Sequence, residues 1–319
     1  MAKGTVGSLG EFGLVRELVG RLTTTDDVLV GPGDDAAVVR AADQRVVATT
    51  DLLVEGRHFR RDWSSAHDIG RKAAAQSLAD VVAMGARPTA LLVGFGAPPD
   101  LPSDWALEFT DGLREECDLV GAAVVGGDVV RSERVTIGVS ALGDLAGWDP
   151  VLRSGAQPGD VVAIAGRLGW AAAGLAVLSR GFRSPRVLVE AHRRPEPPYD
   201  LGPAAARAGA TSMIDVSDGL VADAGHVAQA SGVVLSLETD RLTIAPPLAE
   251  AAGAFNLDPL AWLLGGGDDH ALVATFPPDF WRPEGFVVAG TVLAAGESGP
   301  GVLVDGRTYE GPSGHDHFS

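Results

Sequence analysis

The sequence contains very little cysteine: Cys117 is the only one among 319 residues. A disulfide framework and a zinc site built from cysteines are therefore excluded. Basic residues are also few, since 25 Lys and Arg stand against 42 Asp and Glu and the formal net charge is -17. Nucleic acids and anionic membranes are poor partners for so acidic a chain, because both are anionic themselves.

Long apolar runs are missing as well. No stretch approaches the roughly 20 apolar residues of a membrane-spanning helix. The N-terminal segment MAKGTVGSLGEFGLV lacks the apolar core of a signal peptide. We therefore expect a soluble protein of the reducing cytoplasm, in which Cys117 is a structural thiol within a helical stretch.

The length of 319 residues and the hydrophobic content of 46% suit two domains. A stretch rich in Gly, Pro and polar residues at 147–158 predicts the boundary between them. We place an N-terminal domain at residues 1–148 and a C-terminal domain at residues 149–319. Strand-like and helix-like segments alternate, which predicts an α/β fold. The clearest segments are strand 45–54, helix 67–86, helix 103–120, strand and turn 122–130, and helix 168–181.

Several familiar catalytic motifs are absent. The sequence has no GxxxxGK[ST] phosphate loop and no kinase-type HRD or DFG set. The three glycines at 265–267 lead into a strand rather than a helix, so they are not a dinucleotide fingerprint. Ser217 does not fit a GxSxG elbow, and the histidines are too scattered for a zinc hydrolase.

Five clusters of Gly and Asp remain, each beside an apolar, strand-like run. They read GPGDDAAVV from Gly31, TTDLLVEGRHF from Thr49, VGGDVV from Val125, IDVSDGL from Ile214 and GGGDDHAL from Gly265. Glycine permits sharp turns and a close approach to a ligand, and carboxylate oxygens are ligands that suit Mg²⁺. Together the clusters predict loops that converge on a metal-rich site able to neutralise phosphate charge.

Asp80 adds a further carboxylate in the middle of a predicted helix. Asp is unfavourable inside a helix, and a carboxylate among apolar neighbours needs a partner. A metal ion is one candidate partner. A salt bridge to Arg71, Lys72 or Arg87 is the other.

Each cluster also has a local alternative. GPGDD can be a Pro-Gly turn, TTD a helix cap or strand end, and residues 126–128 a hairpin turn. Ser217 or Asp218 can cap the helix that follows them, as Ser103 can cap its own helix. His58 can be an ordinary loop residue. The clusters would lack a common function only if every one of these local alternatives were true at the same time.

The chain resembles the thiamine-monophosphate kinase family, in a superfamily with aminoimidazole ribonucleotide synthetase and selenophosphate synthetase. The resemblance spans nearly the whole sequence, in the ordered motifs GDDAAV, TTDLLVEGRHF, SLADVVAMGARP, GGDVVR, RSGAQPGD, IDVSDGL and GGGDDH. It implies a two-domain aminoimidazole ribonucleotide synthetase-like fold whose N-terminal sheets pair across a homodimer, with ATP near that interface. Residues 1–148 would then be the ATP- and Mg²⁺-binding and dimerisation domain, and residues 149–319 an α/β domain that completes the active site. It also implies ATP- and Mg²⁺-dependent phosphorylation of thiamine monophosphate, the last step of thiamine diphosphate biosynthesis.

The same resemblance implies roles for individual residues. The metal-binding positions are Asp34, Thr49, Thr50, Asp51, Asp80, Asp128, Asp215 and Asp218. The ATP-binding positions are Gly127, Asp128, Arg153 and Ser217. The substrate positions are His58, Asp268 and His315, where Asp268 replaces the Glu of many members and His315 replaces an aromatic residue.

Direct in-line transfer of the ATP γ-phosphoryl group is the expected reaction, with Asp51, Asp128, Asp215 and Arg153 as catalytic residues. The acceptor phosphate is already an anion at neutral pH, so no strong general base is needed. The obstacle is repulsion between two anionic phosphates, which Mg²⁺ and the Arg153 cation offset. No covalent phosphate carrier is expected.

Two other classes of function stay open. A sister enzyme could activate an amide, formate or selenide through ATP. Against this, Cys117 has the wrong setting for a selenophosphate synthetase, the chain ends in HDHFS rather than a cysteine, and purine-pathway relatives lack the EGRHF and GGGDDH pair. A non-enzymatic protein would bind Mg²⁺ or nucleotide without forming product.

Overall fold

A computed structural model of the chain describes residues 4–32, 36–311 and 314. The chain groups into two units: the first takes in Met1–Val81 and Ala86–Gly147, and the second takes in Val82–Gly85 and Trp148–Ser319. The main break falls inside the Gly- and Pro-rich stretch of the sequence. The functional roles assigned to the two predicted domains stay predictions.

The first unit carries, in chain order, α1 (Val6–Val19), β1 (Val28–Val30), β2 (Val38–Val39), β3 (Val47–Val54), most of α2 (Ala66–Ala83), β4 (Arg87–Ala97), α3 (Ser103–Val120), β5 (Ala123–Arg131) and β6 (Thr136–Asp144). Four of these strands form a sheet in the order β3-β6-β4-β5. Strand β6 pairs antiparallel with β3 and β4, whereas β5 is parallel to β4. Strands β1 and β2 form a separate ribbon.

The two faces of this sheet differ in burial. Leu53 and Val139 are buried on one face, whereas Leu52 and Leu92 on the other are 57% and 39% exposed. This alternation is typical of an antiparallel sheet that packs on one side only. On the covered face Phe95 stacks on two aromatic rings of α3 at centroid distances of 6.2 and 5.5 Å.

Helix α2 begins with a reciprocal pair of hydrogen bonds. The backbone N–H of Asp68 donates to Ser65 Oγ at 3.1 Å, and the backbone N–H of Ser65 donates to Asp68 Oδ2 at 3.2 Å. Two otherwise unsatisfied donors of the first turn are thereby paired. Arg71 of α2 then binds the buried Glu116 of α3 at 2.6 Å, which joins the two helices beneath the sheet.

The second unit carries β7 (Val161–Ala165), α4 (Trp170–Ser179), α5 (Arg186–Arg193), α6 (Leu201–Arg207), β8 (Ser212–Asp215), α7 (Leu220–Ser231), β9 (Val233–Leu237), α8 (Pro246–Phe255), α9 (Pro259–Gly265), β10 (Leu272–Phe276), β11 (Val287–Ala294), β12 (Gly301–Val304) and β13 (Arg307–Thr308). Short 3-10 turns occur at Arg153–Gly155 and Thr239–Arg241. The described strands form one mixed sheet in the order β13-β12-β9-β11-β7-β10-β8. Every residue of β10 is buried, as expected for a strand inside a covered sheet.

Three local alternatives that the sequence allowed do not occur in the structure. Ser103 does not cap α3, because Pro102 is the N-cap and Ser103 Oγ donates instead to the carbonyl oxygen of Gly4 at 2.8 Å. Neither Ser217 nor Asp218 caps α7, whose N-cap is a glycine without a side-chain bond. Residues 126–128 are not a hairpin turn: they lie inside β5, where pairing with β4 keeps the backbone extended.

Helices α2 and α3 have 18 residues each. Both carry charged side chains along their length. Across the part of the chain that the structure describes, no helix is both long enough and apolar enough to cross a bilayer.

Candidate active site

Two acidic side chains of the first unit are oriented by hydroxyl groups. Asp51 lies in the middle of β3, and Ser77 Oγ on α2 donates to its Oδ2 at 2.7 Å. Asp80 lies one turn further along α2, and Thr49 Oγ1 donates to its Oδ2 at 2.7 Å. A neutral donor orients a carboxylate without cancelling its charge, which suits a group that binds a cation.

Gly127 and Asp128 lie on the outer strand β5. A Cβ at Gly127 would overlap the carbonyl oxygen of Val93 on β4, so only glycine fits there. Asp128 is exposed, and its Oδ1 accepts a hydrogen bond from the backbone N–H of Val129 at 2.9 Å. The strand therefore presents a carboxylate beside bare backbone, where a phosphate and its cation can approach closely.

A cavity of about 1190 Å³ opens beside this strand within the first unit. Gly127, Asp128 and Thr50 contribute polar lining, and apolar residues such as Phe12 and Leu113 contribute much of the rest. Its size is slightly above the ~300–1,000 Å³ of ordinary ligand pockets. An apolar wall with a few polar groups suits a planar base attached to phosphates.

His58 follows β3 and is half-buried. Its Nδ1 accepts a hydrogen bond from the backbone N–H of Val54 at 2.9 Å. Because an accepting Nδ1 has no hydrogen, the neutral ring carries its hydrogen on Nε2. Nε2 is thus a donor suited to an anionic oxygen.

In the second unit, Asp215 ends β8 and leads into residues 216–219, which we call the serine loop. Asp215 is buried, Ser217 is exposed and Asp218 is half-buried. The backbone N–H groups of Asp218 and Gly219 both donate to Asp223 Oδ2 at 3.0 Å. Burial raises the pKa of Asp223 to about 7, although these N–H groups act to lower it. The first turn of α7 thereby holds the serine loop in place.

Residues 266–271, which we call the glycine loop, run beside the serine loop. The N–H of Asp268 donates to the carbonyl oxygen of Ser217 at 2.8 Å, and the N–H of His270 donates to that of Val216 at 3.0 Å. A Cβ at Gly267 would overlap the carbonyl oxygen of Ser217. Asp268 and His270 have φ angles of 73° and 53°. Such left-handed backbone costs roughly 1–2 kcal/mol per residue, and it is often found at functional sites.

Asp269 anchors the glycine loop to helix α4. Its Oδ1 accepts a hydrogen bond from the backbone N–H of Ala171 at 2.9 Å. Gly169, the N-cap residue of α4, has no side chain, so a carboxyl group from a distant segment supplies the cap. Burial raises the pKa of Asp269 to about 7, while the bond from Ala171 acts to lower it.

Arg153 begins the 3-10 turn Arg153–Gly155 and is exposed. Its carbonyl oxygen accepts a hydrogen bond from Ser231 Oγ on α7 at 2.8 Å. The backbone of this residue is therefore anchored while its side chain reaches solvent, which suits a guanidinium that binds phosphate.

The donor chemistry of these residues fits Mg²⁺, since carboxylate and hydroxyl oxygens are the hard ligands that this ion takes. Within residues 4–32, 36–311 and 314, however, no three His, Cys, Asp or Glu side chains are grouped closely enough to enclose a metal ion. Mg²⁺ is usually held by one or two carboxylates together with water and substrate phosphates, rather than by an all-protein cage. The residues therefore fit an ion that arrives with a nucleotide.

Two of the predicted site residues, Asp34 and His315, lie outside the described residues. Four further residues support the site without having been predicted for it: Ser77, Asp223, Asp269 and His270. The last two stand in the GGGDDH motif, which was a usable signal. Ser77 begins the SLADVVAMGARP motif, which was a usable signal too. Asp223 offered none, because it lies outside the quoted motifs and binds a loop whose conformation is set by folding.

Comparison with known proteins identifies the family. Residues 33–145 match the family model AIR synthase related protein, N-terminal domain. Over 318 residues the chain is 48% identical to thiamine-monophosphate kinase of Mycobacterium tuberculosis. The alignment covers 98% of this chain and 93% of that protein. The chain belongs to the thiamine-monophosphate kinase family. A member of this family from Aquifex aeolicus is 34% identical, with coverage of 97% and 98%.

Solved structures of thiamine-monophosphate kinases have the same fold. The enzyme from Stenotrophomonas maltophilia K279a matches with a TM-score of 0.80 and 31% identity, covering 93% of this chain and 96% of that one. AaThiL complexed with AMPPCP and TMP matches with a TM-score of 0.80 and 32% identity, covering 98% of each chain. Escherichia coli HypE, a hydrogenase maturation protein, is 18% identical at a TM-score of 0.72, and so shares the fold alone. The predicted aminoimidazole ribonucleotide synthetase-like fold is confirmed.

Proposed function

We propose that this protein transfers the γ-phosphoryl group of ATP to thiamine monophosphate and forms thiamine diphosphate, the last step of its biosynthesis. The observation that carries the proposal is the match, over 98% of the chain, to AaThiL complexed with AMPPCP and TMP. AMPPCP is an analogue of ATP, so that complex pairs the two substrates of the reaction. The identity of 48% to the Mycobacterium tuberculosis enzyme extends along 98% of the chain, which supports the same activity here.

The first unit supplies the groups that we assign to ATP and Mg²⁺. Gly127 and Asp128 border the cavity of about 1190 Å³. Asp51 and Asp80 have their carboxylates oriented by hydroxyl groups. We assign the remaining metal positions of this unit to Asp34, Thr49 and Thr50. When bound, Mg²⁺ supplies positive charge to the phosphate oxygens.

The second unit supplies further groups for the phosphates and for the substrate. We assign Asp215 and Asp218 to metal binding, and Arg153 and Ser217 to ATP. Asp268 is assigned to thiamine monophosphate, together with His58 of the first unit, whose Nε2–H can donate to an anionic oxygen. His315 is assigned to the thiamine end on the family resemblance alone.

Positioning and charge neutralisation are the main demands of this reaction, because phosphoryl transfer leaves little covalent chemistry for the protein. The acceptor is an anionic phosphate and needs no strong base. Arg153 adds a fixed positive charge, and the carboxylates of Asp51 and Asp128 would hold the cation that supplies the rest of the neutralising charge. Transfer is therefore direct and in line, without a phosphorylated residue.

A homodimer is the expected assembly. Strand β3 is an edge strand whose partner within the described residues is β6 alone. Leu52 and Leu92 are exposed on the open face of the same sheet. An apolar face beside a long unprotected edge favours association with another chain, and the family resemblance implies that this chain is a second copy. Light scattering should therefore give twice the chain mass of 32.7 kDa, and Leu52→Asp should shift the protein towards the monomer.

The activity is tested by supplying the purified protein with ATP, Mg²⁺ and thiamine monophosphate and measuring thiamine diphosphate by chromatography. Asp51→Ala and Asp128→Ala should each lower turnover on the order of 100-fold or more, because each removes a charge that positions the cation. Asp100→Ala is the matched control, since Asp100 is an exposed carboxylate of the first unit outside these clusters.

The outcomes separate the classes of function. ATP binding without any product would indicate a nucleotide-binding protein and overturn the proposed activity. Near-normal turnover of Asp51→Ala or Asp128→Ala at ordinary Mg²⁺ would instead overturn the metal assignment. A phosphorylated protein isolated during turnover would exclude direct transfer.

A further inference from the structure

His270 has no role in the proposed reaction, yet it lies between Asp215 and Asp268, to which roles are assigned. It belongs to the glycine loop, and its side chain is only 6% exposed. The neighbouring side chain of Asp215, which ends β8, is 5% exposed. A buried imidazole beside a buried carboxylate is stable only if the two are paired, because neither is solvated.

The pairing has a defined direction. His270 Nδ1 lies 3.0 Å from Asp215 Oδ2. An ionised carboxylate can only accept, so Nδ1 carries the hydrogen and donates it. In a site with little water this bond is stronger than it would be on the surface. It fixes Oδ2 of Asp215 and leaves Oδ1 as the oxygen to present to a cation.

The other ring nitrogen faces the predicted substrate residue. His270 Nε2 lies 3.9 Å from Asp268 Oδ1, and His192 Nδ1 lies 4.0 Å from Asp268 Oδ2. These separations exceed a direct hydrogen bond, and they are of the size that a bridging water spans or that closes when a ligand binds. The carboxylate of Asp268 thus lies between two imidazoles.

The backbone supports the same arrangement. The N–H groups of Asp268 and His270 are bonded to the serine loop, and both residues have left-handed φ angles. The backbone of the glycine loop is therefore tied to that of the serine loop, which directly follows Asp215. Strained backbone of this kind persists only where the surrounding structure enforces it.

We propose that His270 is a positioning residue that orients Asp215 through Nδ1 and supports Asp268 through Nε2, so that one ring sets both the cation ligand and the substrate ligand. This inference rests on the proposed function, which assigns those two carboxylates their roles. Groups that orient a metal ligand from behind typically matter 10–100-fold for affinity.

Two substitutions of His270 test the roles of its two ring nitrogens separately. His270→Asn keeps a donor near the place of Nδ1, and His270→Gln keeps one near the place of Nε2. His270→Phe removes both. Asn also tolerates the φ of 53° better than Gln or Phe, so thermal unfolding is measured for every variant. His226→Phe, at an exposed histidine of α7, is the matched control.

Binding of AMPPCP is measured by calorimetry across a Mg²⁺ series, and the KM for thiamine monophosphate is measured separately. We expect His270→Phe to raise the Mg²⁺ concentration needed for AMPPCP binding about 10–100-fold and to raise the KM as well. His270→Asn should keep the wild-type Mg²⁺ requirement and raise the KM. His270→Gln should raise the Mg²⁺ requirement and keep the wild-type KM. His226→Phe should match the wild type in both quantities.

The outcomes also separate this inference from the proposed function. If the wild type itself binds AMPPCP without any dependence on Mg²⁺, the proposed function fails. If the wild type depends on Mg²⁺ and His270→Phe behaves like it, the positioning role is wrong. Should His270→Phe not fold, the Asn and Gln variants decide, and equal effects of both on Mg²⁺ and on KM would overturn the division between the two nitrogens.

Discussion

Asp269→Asn should change how stability depends on pH. Asp269 is 4% exposed, and its burial raises the pKa from 3.8 to about 7. The folded protein therefore binds this proton more tightly than the unfolded chain does. The resulting stabilisation is fully present below about pH 4 and is lost as the pH rises through about 7. An asparagine can still accept the hydrogen bond from Ala171 but has no proton to lose.

The expected size follows from the shift. For one group whose pKa rises in this way, the contribution to the free energy of unfolding falls by roughly 2–3 kcal/mol between about pH 5 and about pH 8. Asp223 has a similarly raised pKa, but it is present in both proteins and cancels in the difference. The stability of Asp269→Asn relative to the wild type should therefore rise by that amount across this range.

Urea denaturation followed by circular dichroism at each pH measures the effect, with midpoints and slopes compared between the two proteins. Asp258→Asn is the control, because Asp258 is an exposed carboxylate that also caps a helix. Its difference from the wild type should change by less than about 0.5 kcal/mol. If the stability difference between Asp269→Asn and the wild type changes as little with pH as that of the control, the claim that this carboxyl group is buried with a raised pKa is refuted.

Three further predictions concern packing. Gly127→Ala should lower the free energy of unfolding by about 1–3 kcal/mol in denaturant titration, because its Cβ would overlap the backbone of Val93. Gly126→Ala is the control and should lower this free energy less, because its Cβ meets only one leucine methyl at 3.2 Å. Equal decreases for the two variants would contradict the prediction. Gly225→Ala should raise that free energy by roughly 0.5–1 kcal/mol, since a Cβ there enters open space on α7; a lower melting temperature would contradict it. Cys117 is 1% exposed and burial raises its pKa, so an alkylating reagent should label it only after denaturation; rapid labelling of the native protein would show that the helix is open.

Much of the fold could be predicted from the sequence, because its elements carry local signals. The Ala-rich helix predicted at 67–86 is α2, Ala66–Ala83, and the strand predicted at 45–54 contains β3, Val47–Val54. The signals failed where a distant neighbour sets the backbone. Residues 126–128 look like a turn, yet pairing with β4 makes them strand.

The caps show the same limit. Ser103, Ser217 and Asp218 are all good capping residues by type, but none of them caps its helix. Helix α4 is capped by Asp269 from a segment far along the chain. A cap of that kind depends on folding to bring the two segments together, so no rule based on neighbouring residues could predict it.

The sequence by itself determined the chemistry of this protein. Its acidic, glycine-rich motifs and their order along the chain indicated, by resemblance, a kinase family that uses ATP, because a short motif already contains the atoms that a ligand needs. Only the tertiary structure decided how those atoms are held. The partners come from residues distant in sequence: Ser77 donates a hydrogen bond to Asp51, His270 pairs with Asp215, and helix α4 anchors the glycine loop. Such partners exist only once long-range packing has formed.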